Sequence, residues 1–120
     1  MKIKIVIPNS GMDRETLTAR ELMLSRAVSA QVELSVDCIS SGPASIESNT
    51  DEVMAGPLLI QAARRAEAEG FGAFVVYCFS DLAVPAIREN VSIPVVGPVE
   101  VSLAAADMVS NKFSIITTVE

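Results

Sequence analysis

Histidine and tryptophan are absent from the 120-residue chain, and cysteine occurs only twice, as Cys38 and Cys78. Without histidine, a serine-type catalytic triad lacks its general base and a zinc site loses its commonest ligand. Two cysteines this far apart in sequence make neither a disulfide scaffold nor a cysteine-rich metal site. These absences exclude triad hydrolases and most metalloenzymes, and we expect no bound metal.

Basic residues and long apolar runs are also scarce. There are 9 Lys and Arg against 15 Asp and Glu, which gives a formal net charge of -6. This balance argues against a nucleic-acid partner, because affinity for phosphate backbones depends on basic patches. The apolar run near the start, residues 3–7, is too short for a secretion signal, and no run reaches the roughly 18 residues that span a bilayer. The sequence therefore predicts a cytoplasmic protein with no membrane contact and with reduced thiols.

What the chain does contain is apolar sequence in short, regularly spaced segments. Half of its residues are apolar, enough for the core of one compact domain of roughly 100–150 residues. Turn residues bound five short apolar runs that we interpret as strands: residues 3–7, 32–39, 73–77, 94–96 and 113–117. Stretches with helical spacing separate these runs, and an alternation of this kind is typical of a parallel sheet with helices on both faces.

The helical stretches carry start and stop signals. In the first, Leu17, Leu24 and Val28 share one face, and Asp13 is suited to cap the helix. Pro57 lies inside the second, where it either kinks the helix or marks its first residue. The remaining predicted helices complete the set: residues 51–69, 81–89 and 99–110. The order of elements predicts an α/β fold of the doubly wound, flavodoxin-like type.

The residues that follow the predicted strands are mostly small and polar. They are Asn9 and Ser10 after the first, Ser40 and Ser41 after the second, Cys78, Phe79, Ser80 and Asp81 after the third, Glu100 after the fourth, and Thr117 and Thr118 at the end of the fifth. Ligands of open α/β sheets bind beyond these carboxyl ends. Hydroxyl, amide and thiol groups suit a small carboxylate or imide. No glycine-rich phosphate loop follows the first strand, so we expect no dinucleotide cofactor.

Cys78 is the sharpest single candidate for chemistry. It lies where an apolar strand meets the predicted third helix, whose unpaired N–H groups and dipole would favour a thiolate. The alternative is a buried strand cysteine, a common fate of this residue. Because side chains alternate along a strand, Cys38 shares one strand face with Leu34 and Val36, which predicts a core-filling role. Asp81 and Glu100 are either ligand contacts or ordinary acids at helix starts.

Several motifs resemble the aspartate/glutamate/hydantoin racemase superfamily. They are residues 76–81 (Val-Tyr-Cys-Phe-Ser-Asp), 86–89 (Ala-Ile-Arg-Glu), 93–97 (Ile-Pro-Val-Val-Gly), 42–47 (Gly-Pro-Ala-Ser-Ile-Glu), 113–118 (Phe-Ser-Ile-Ile-Thr-Thr) and 8–10 (Pro-Asn-Ser). The similarity extends over nearly the whole chain in the family's order. Cys-Phe-Ser-Asp, in place of Cys-Asn-Thr, resembles the hydantoin racemase branch. The pattern departs at Leu82 and Ala83, where the family often has Pro-Gly.

The resemblance implies cofactor-independent racemisation by two cysteines. One thiolate removes the proton alpha to a carbonyl, and an opposed thiol returns a proton to the other face. By position, Cys78 would be the first acid/base. The substrate pocket would be lined by Asn9, Ser10, Phe79, Ser80, Asp81, Thr117 and Thr118. The substrate would be a hydantoin or a similar small carbonyl acid.

The resemblance also implies two similar α/β lobes with the active site between them, in chains about twice this length. On that pattern, residues 1–111 form the N-terminal lobe, and residues 112–120 are the first strand of a second lobe that is missing or truncated. The second acid/base would lie in the missing half, so we expect little or no racemase activity from 120 residues. An exposed interlobe face would favour a homo-oligomer.

Other functions fit the same residues. The superfamily that the chain resembles also contains a second enzyme class, one-cysteine decarboxylases and maleate-type cis–trans isomerases, which share the implied fold. Outside catalysis, the chain could be a small-ligand-binding α/β module that keeps the polar rim. A binding module has no need of an activated thiol, so the chemistry of Cys78 separates these hypotheses.

Overall fold

The computed structural model describes residues 1–116, in which strands and helices alternate. The elements are β1 (Lys2–Ser10), α1 (Arg14–Ser25), β2 (Glu33–Ile39), α2 (Asn49–Ala68), β3 (Ala73–Val76), α3 (Val84–Arg88), β4 (Val95–Val96) and α4 (Pro98–Val109). Four of the five predicted strands and all four predicted helices are present. Thr117 and Thr118 lie outside the described residues.

The strands form one parallel sheet in the order β2-β1-β3-β4. Ile5 of β1 pairs with Val36 on one side and with Val75 on the other. This order matches the first four strands of a flavodoxin-like sheet, so the predicted fold class is confirmed.

Strand alternation sends side chains to two separate cores. On the α1 side, Ile5, Ile7 and Val36 pack with Leu17. On the opposite face, strand residues pack with α2 and α3: Val6, Phe74, Val76, Leu59 and Ile87. The sheet is therefore covered on both faces, as the alternation of strands and helices predicted.

Side-chain caps explain where two helices begin. The Asp13 carboxylate accepts a hydrogen bond from the Thr16 N–H at 2.8 Å, which confirms its predicted role at the start of α1. Ser48 caps α2 in the same way. That helix continues through Pro57, so the alternative that it begins at Pro57 is wrong. Gly70 ends the segment with a φ of 84°.

Two expectations from the sequence fail in the described residues. Val28 lies beyond the end of α1 and is exposed, because that helix stops at Ser25, one turn earlier than the apolar spacing suggested. Residues 113–116 have no strand structure. A strand needs a neighbour for its backbone hydrogen bonds, and these residues pair with none of β1 to β4. The predicted boundary between residues 111 and 112 stays a prediction.

None of the helices in residues 1–116 is long and apolar enough to cross a membrane. The same residues contain no group of three or more Cys, Asp or Glu side chains arranged to hold a metal ion.

Candidate active site

The candidate site lies at the carboxyl ends of β1 and β3, which are neighbours in the sheet. Helix α1 connects β1 to β2 over one face, and α2 connects β2 back to β3 over the other. The two connections diverge between β1 and β3, which is the switch point where open α/β sheets bind ligands. Val6 pairs with Val76, and the Tyr77 N–H donates to the Val6 carbonyl at 2.8 Å. Cys78, just after β3, and Asn9, near the end of β1, thus belong to adjacent strands at one edge of the sheet.

Cys78 lies just beyond β3 and is half-buried, with one side against the α2-side core. Its Sγ is 3.5 Å from the Ser80 Oγ, a hydrogen bond in which either atom can donate. Its carbonyl accepts from the Asp81 N–H at 3.3 Å, closing a tight turn. The thiol is therefore accessible at the rim, and its one hydrogen-bond partner among the described residues is a hydroxyl.

Helix α3 does not follow Cys78 directly, as the sequence had suggested. It starts at Val84 rather than near residue 81, because Asp81 and Ala83 both take left-handed backbone conformations, with φ of 51° and 58°. The predicted helix start near residue 81 is therefore wrong, and α3 begins six residues after Cys78.

The turn itself supplies donors beside the thiol. The backbone N–H groups of Phe79 and Ser80 have no acceptor among residues 1–116. Successive N–H groups in a turn make a concave anion site. Phe79 and Ser80 are both exposed, and Phe79 is 45% accessible. These two predicted pocket residues lie next to Cys78 with their polar backbone available to a ligand.

The end of β1 is held by the loop after β2. The Ser10 N–H donates to the Pro43 carbonyl at 2.8 Å, and its hydroxyl donates to the Gly42 carbonyl at 2.9 Å. The Ser10 hydroxyl hydrogen is therefore engaged, which leaves its oxygen to accept. The half-buried Asn9 amide has no hydrogen-bond partner in the described part of the chain. The β1 rim thus offers one unengaged amide and one anchored hydroxyl.

Asp81 has a different environment from its neighbours. Its two carboxylate oxygens accept from the N–H groups of Val99 and Glu100, at 2.8 and 2.7 Å. The predicted contact between Asp81 and substrate stays a prediction, with both oxygens already engaged by α4. The hydrogen bonds between Asp81 and α4 were not predicted from the sequence. There Asp81 was interpreted either as a ligand contact or as an acid at the start of the helix that follows it.

Glu100 forms an ion pair with Arg88, and the guanidinium of Arg88 also donates to the Val95 carbonyl at 2.8 Å. Hydrogen bonding from Arg88 holds the pKa of the Glu100 carboxyl below its usual value. This pair ties the end of α3 to the start of α4. Of the two readings of Glu100, the structure favours the acid at a helix start.

The second cysteine lies apart from this rim in its packing. Cys38 is half-buried and packs against the α1-side core with Val32, as strand alternation predicted, and both cysteines are unpaired. Cys78 packs against the opposite core.

The chain is similar to known proteins over nearly its whole length. The family model for Asp/Glu/Hydantoin racemase matches residues 3–120. A hydantoin racemase of Rhizobium meliloti is 35% identical over 119 residues, which are 98% of this chain and 48% of the relative. A hydantoin racemase of Pseudomonas sp. (strain NS671) is 35% identical over 117 residues, 98% of this chain and 46% of that protein.

Among solved structures, allantoin racemase from Klebsiella pneumoniae matches with a TM-score of 0.78 and 26% identity. The match covers 89% of this chain and 43% of that one. The chain thus spans about half the length of the curated relatives it matches.

Proposed function

The chain belongs to the Asp/Glu/hydantoin racemase family, and from that premise we propose that it carries the proton-transfer site of a cofactor-independent racemase or epimerase. The observation that carries the proposal is the accessible Cys78 thiol at the β1/β3 switch point. The chain spans about half the length of its relatives. We propose the same activity for a whole protein of the relatives' length.

The chemistry needs a base on one face of a carbon next to a carbonyl and an acid on the other face. The Cys78 thiolate takes the alpha proton, and the electron pair of the C–H bond moves onto the carbonyl oxygen as an enolate-like anion. The anion needs fixed donors, and the unengaged N–H groups of Phe79 and Ser80 are suited to that role. Return of a proton to the opposite face requires a second acid, so full inversion demands more than Cys78.

The substrate in this proposal is an uncharged or weakly acidic ring such as a hydantoin. The relatives and the solved neighbour are named hydantoin and allantoin racemases. The rim residues that we assign to substrate binding carry no positive charge: Asn9, Ser10, Phe79 and Ser80, together with Thr117 and Thr118 outside the described residues. A dicarboxylate such as maleate would lack a cationic partner among them, whereas ring carbonyl and imide groups match amide, hydroxyl and backbone donors.

Self-association and a cytoplasmic location are further parts of the proposal. The half of each relative that this protein does not match is similar in length to this chain. A second copy of the chain therefore has a suitable size to take the place of that half. Helix α4 has no buried residue and exposes Val101, Met108 and Val109, a surface fit for such a partner. Two unpaired cysteines suit a reducing compartment.

The test of function class is a substrate panel in D2O, followed by proton NMR at neutral pH with an enzyme-free blank. Loss of the alpha-proton signal needs only one base, so it is detectable even where racemisation is not. We expect enzyme-dependent exchange at C5 of 5-substituted hydantoins or allantoin. Conversion of maleate to fumarate, or loss of CO2 from a disubstituted malonate, without hydantoin exchange would overturn the proposal in favour of the isomerase or decarboxylase reading. Binding of hydantoin without exchange would instead indicate a non-catalytic module.

A further inference from the structure

Helix α4 begins in an unusual way, because its cap comes from elsewhere in the chain. The residue before the helix is Gly97, which has no side chain to accept the first N–H groups. The carboxylate of Asp81 takes that place, with hydrogen bonds of 2.8 Å from the Val99 N–H and 2.7 Å from the Glu100 N–H. Two charge-assisted hydrogen bonds at the positive end of a helix make a firm attachment.

Gly97 is required for this contact by space alone. Its φ of -109° is open to any residue, but a Cβ there would lie within 3.0 Å of the Asp81 carboxyl atoms. Real Cβ atoms essentially never approach this closely. Glycine at residue 97 therefore allows the carboxylate of residue 81 to reach the helix.

The backbone of Asp81 belongs to the turn that carries the thiol. Its N–H donates to the Cys78 carbonyl at 3.3 Å, and its carbonyl accepts from the Val84 N–H at 3.1 Å. Its φ of 51° lies in the left-handed region, which aspartate and asparagine enter more readily than other non-glycine residues. One residue thus closes the Cys78 turn with its backbone and anchors it to α4 with its side chain.

We propose that Asp81 is a positioning residue for Cys78, which fixes the turn of residues 78–81 against α4 so that the thiol keeps one place at the rim. This inference rests on the proposed function for the claim that the position of Cys78 matters for turnover. It assigns Asp81 a role through Cys78 rather than through substrate. Gly97 supports the same role, because it leaves the space that the Asp81 carboxylate needs.

The experiment compares Asp81→Ala, Asp81→Asn and Gly97→Ala in a Cys38→Ala background, where Cys78 is the single thiol. Asp13→Ala is the matched control, because Asp13 also caps a helix through its carboxylate, but its side chain bonds to Thr16 and not to the turn of residues 78–81. Two readouts are used: kcat and KM for alpha-proton exchange, and the rate constant for alkylation of Cys78 by iodoacetamide.

We expect Asp81→Ala and Gly97→Ala each to lower kcat about tenfold or more, with KM nearly unchanged, because small misplacement of a reacting group is costly. The double variant Asp81→Ala/Gly97→Ala should be no worse than either single variant, since both substitutions remove the same contact. Asp81→Asn keeps an acceptor oxygen and a residue that tolerates positive φ, so it should recover part of the rate. Asp13→Ala should leave kcat unchanged.

Equal behaviour of Asp81→Ala and Asp13→Ala in both readouts would overturn the positioning role. Asp81→Asn keeps that conclusion testable if Asp81→Ala does not fold. If the background protein shows no alpha-proton exchange, the proposed function fails, and alkylation then tests positioning by itself. A change of about threefold or more in the alkylation rate for the Asp81 and Gly97 variants, absent from Asp13→Ala, would support it, and no change would refute it.

Discussion

Ala83 holds a backbone conformation that an L side chain adopts at a cost. Its φ is 58°, and it directly precedes α3. Glycine enters this region without the steric penalty of a Cβ. The family often has Pro-Gly where this chain has Leu82 and Ala83, which was the one sequence signal for a left-handed residue here.

We predict that Ala83→Gly stabilises the protein by about 0.5–1 kcal/mol, because relief of the left-handed strain outweighs the added freedom of the unfolded chain. Ala86→Gly is the matched control within α3, where the same substitution should destabilise by about 0.5–1 kcal/mol. Urea denaturation measures both. Equal destabilisation by the two variants would show that residue 83 is not strained.

At the residue scale, the site could be predicted only where it depends on strand ends. Asn9 lies near the end of β1 and Cys78 follows β3. These strands are neighbours, and parallel strands end at one edge, so a shared edge for the two residues could be inferred from the sequence. The partner of Asp81 could not. It lies 18 residues further along the chain, and its position depends on a left-handed turn and a missing Cβ at Gly97. Neither is visible in apolar spacing.

At the scale of elements, hydrogen-bonded carboxylates hold the helix starts. Hydrogen bonds from Thr16 lower the pKa of Asp13 at α1, and those from Ser48 lower the pKa of Asp51 at α2. Arg88 lowers the pKa of Glu100 at α4. A carboxyl whose pKa is lower in the folded state contributes stability above its unfolded value, and that stability is lost as the pH falls through the folded value.

We therefore predict that the midpoint of urea denaturation falls on acidification below about pH 4.5, the ordinary pKa of a glutamate. Below that pH the unfolded chain binds more protons than the folded one. Glu100→Gln should make this acid slope shallower, because it removes one of the shifted groups. Glu47→Gln removes the same charge at a side chain without a hydrogen bond in the described structure, and it serves as the control for the change in net charge. A Glu100→Gln slope equal to wild type would argue against the Arg88 contact.

The elements themselves were largely predictable, and the failures have local causes. Runs of apolar residues marked β1 to β3 because their side chains are buried on both faces of the sheet. The start of α3 was missed because the turn at residues 81–83 is set by tertiary contacts with α4. Residues 113–116 have strand-like composition, yet strand structure depends on a pairing partner that composition does not supply.

At the scale of the whole molecule, apolar side chains are exposed on α4 and in the residues that follow it. Helix α4 packs no residue into the core, and the side chain of Met108 is 85% exposed. Val101, Ala105 and Met108 recur at helical spacing and so share one face. Phe113, Ile115 and Ile116 extend the exposed apolar surface beyond the helix. Patches of this kind mark interaction sites in soluble proteins.

We predict that sedimentation velocity shows association that grows with protein concentration, and that Val101→Glu/Met108→Glu shifts the protein to monomer. Buried charges without partners would penalise the α4 contact. Leu22→Glu/Met23→Glu is the matched control, with the same added charge at two exposed apolar residues of α1. It should associate as wild type does. A wild-type monomer at every concentration would contradict the self-association proposal.

The central claim is that the Cys78 thiol moves the alpha proton, and one comparison tests it most directly. Alpha-proton loss from a 5-substituted hydantoin in D2O is measured for Cys78→Ser and Cys38→Ser at the same pH and saturating substrate. We predict that Cys38→Ser keeps the wild-type rate of exchange within about threefold. Cys78→Ser should lose about a hundredfold or more of that rate, because a serine hydroxyl stays protonated near neutral pH and so supplies no anion to act as the base. Exchange that survives in Cys78→Ser, or that is lost equally in Cys38→Ser, would contradict the assignment of Cys78.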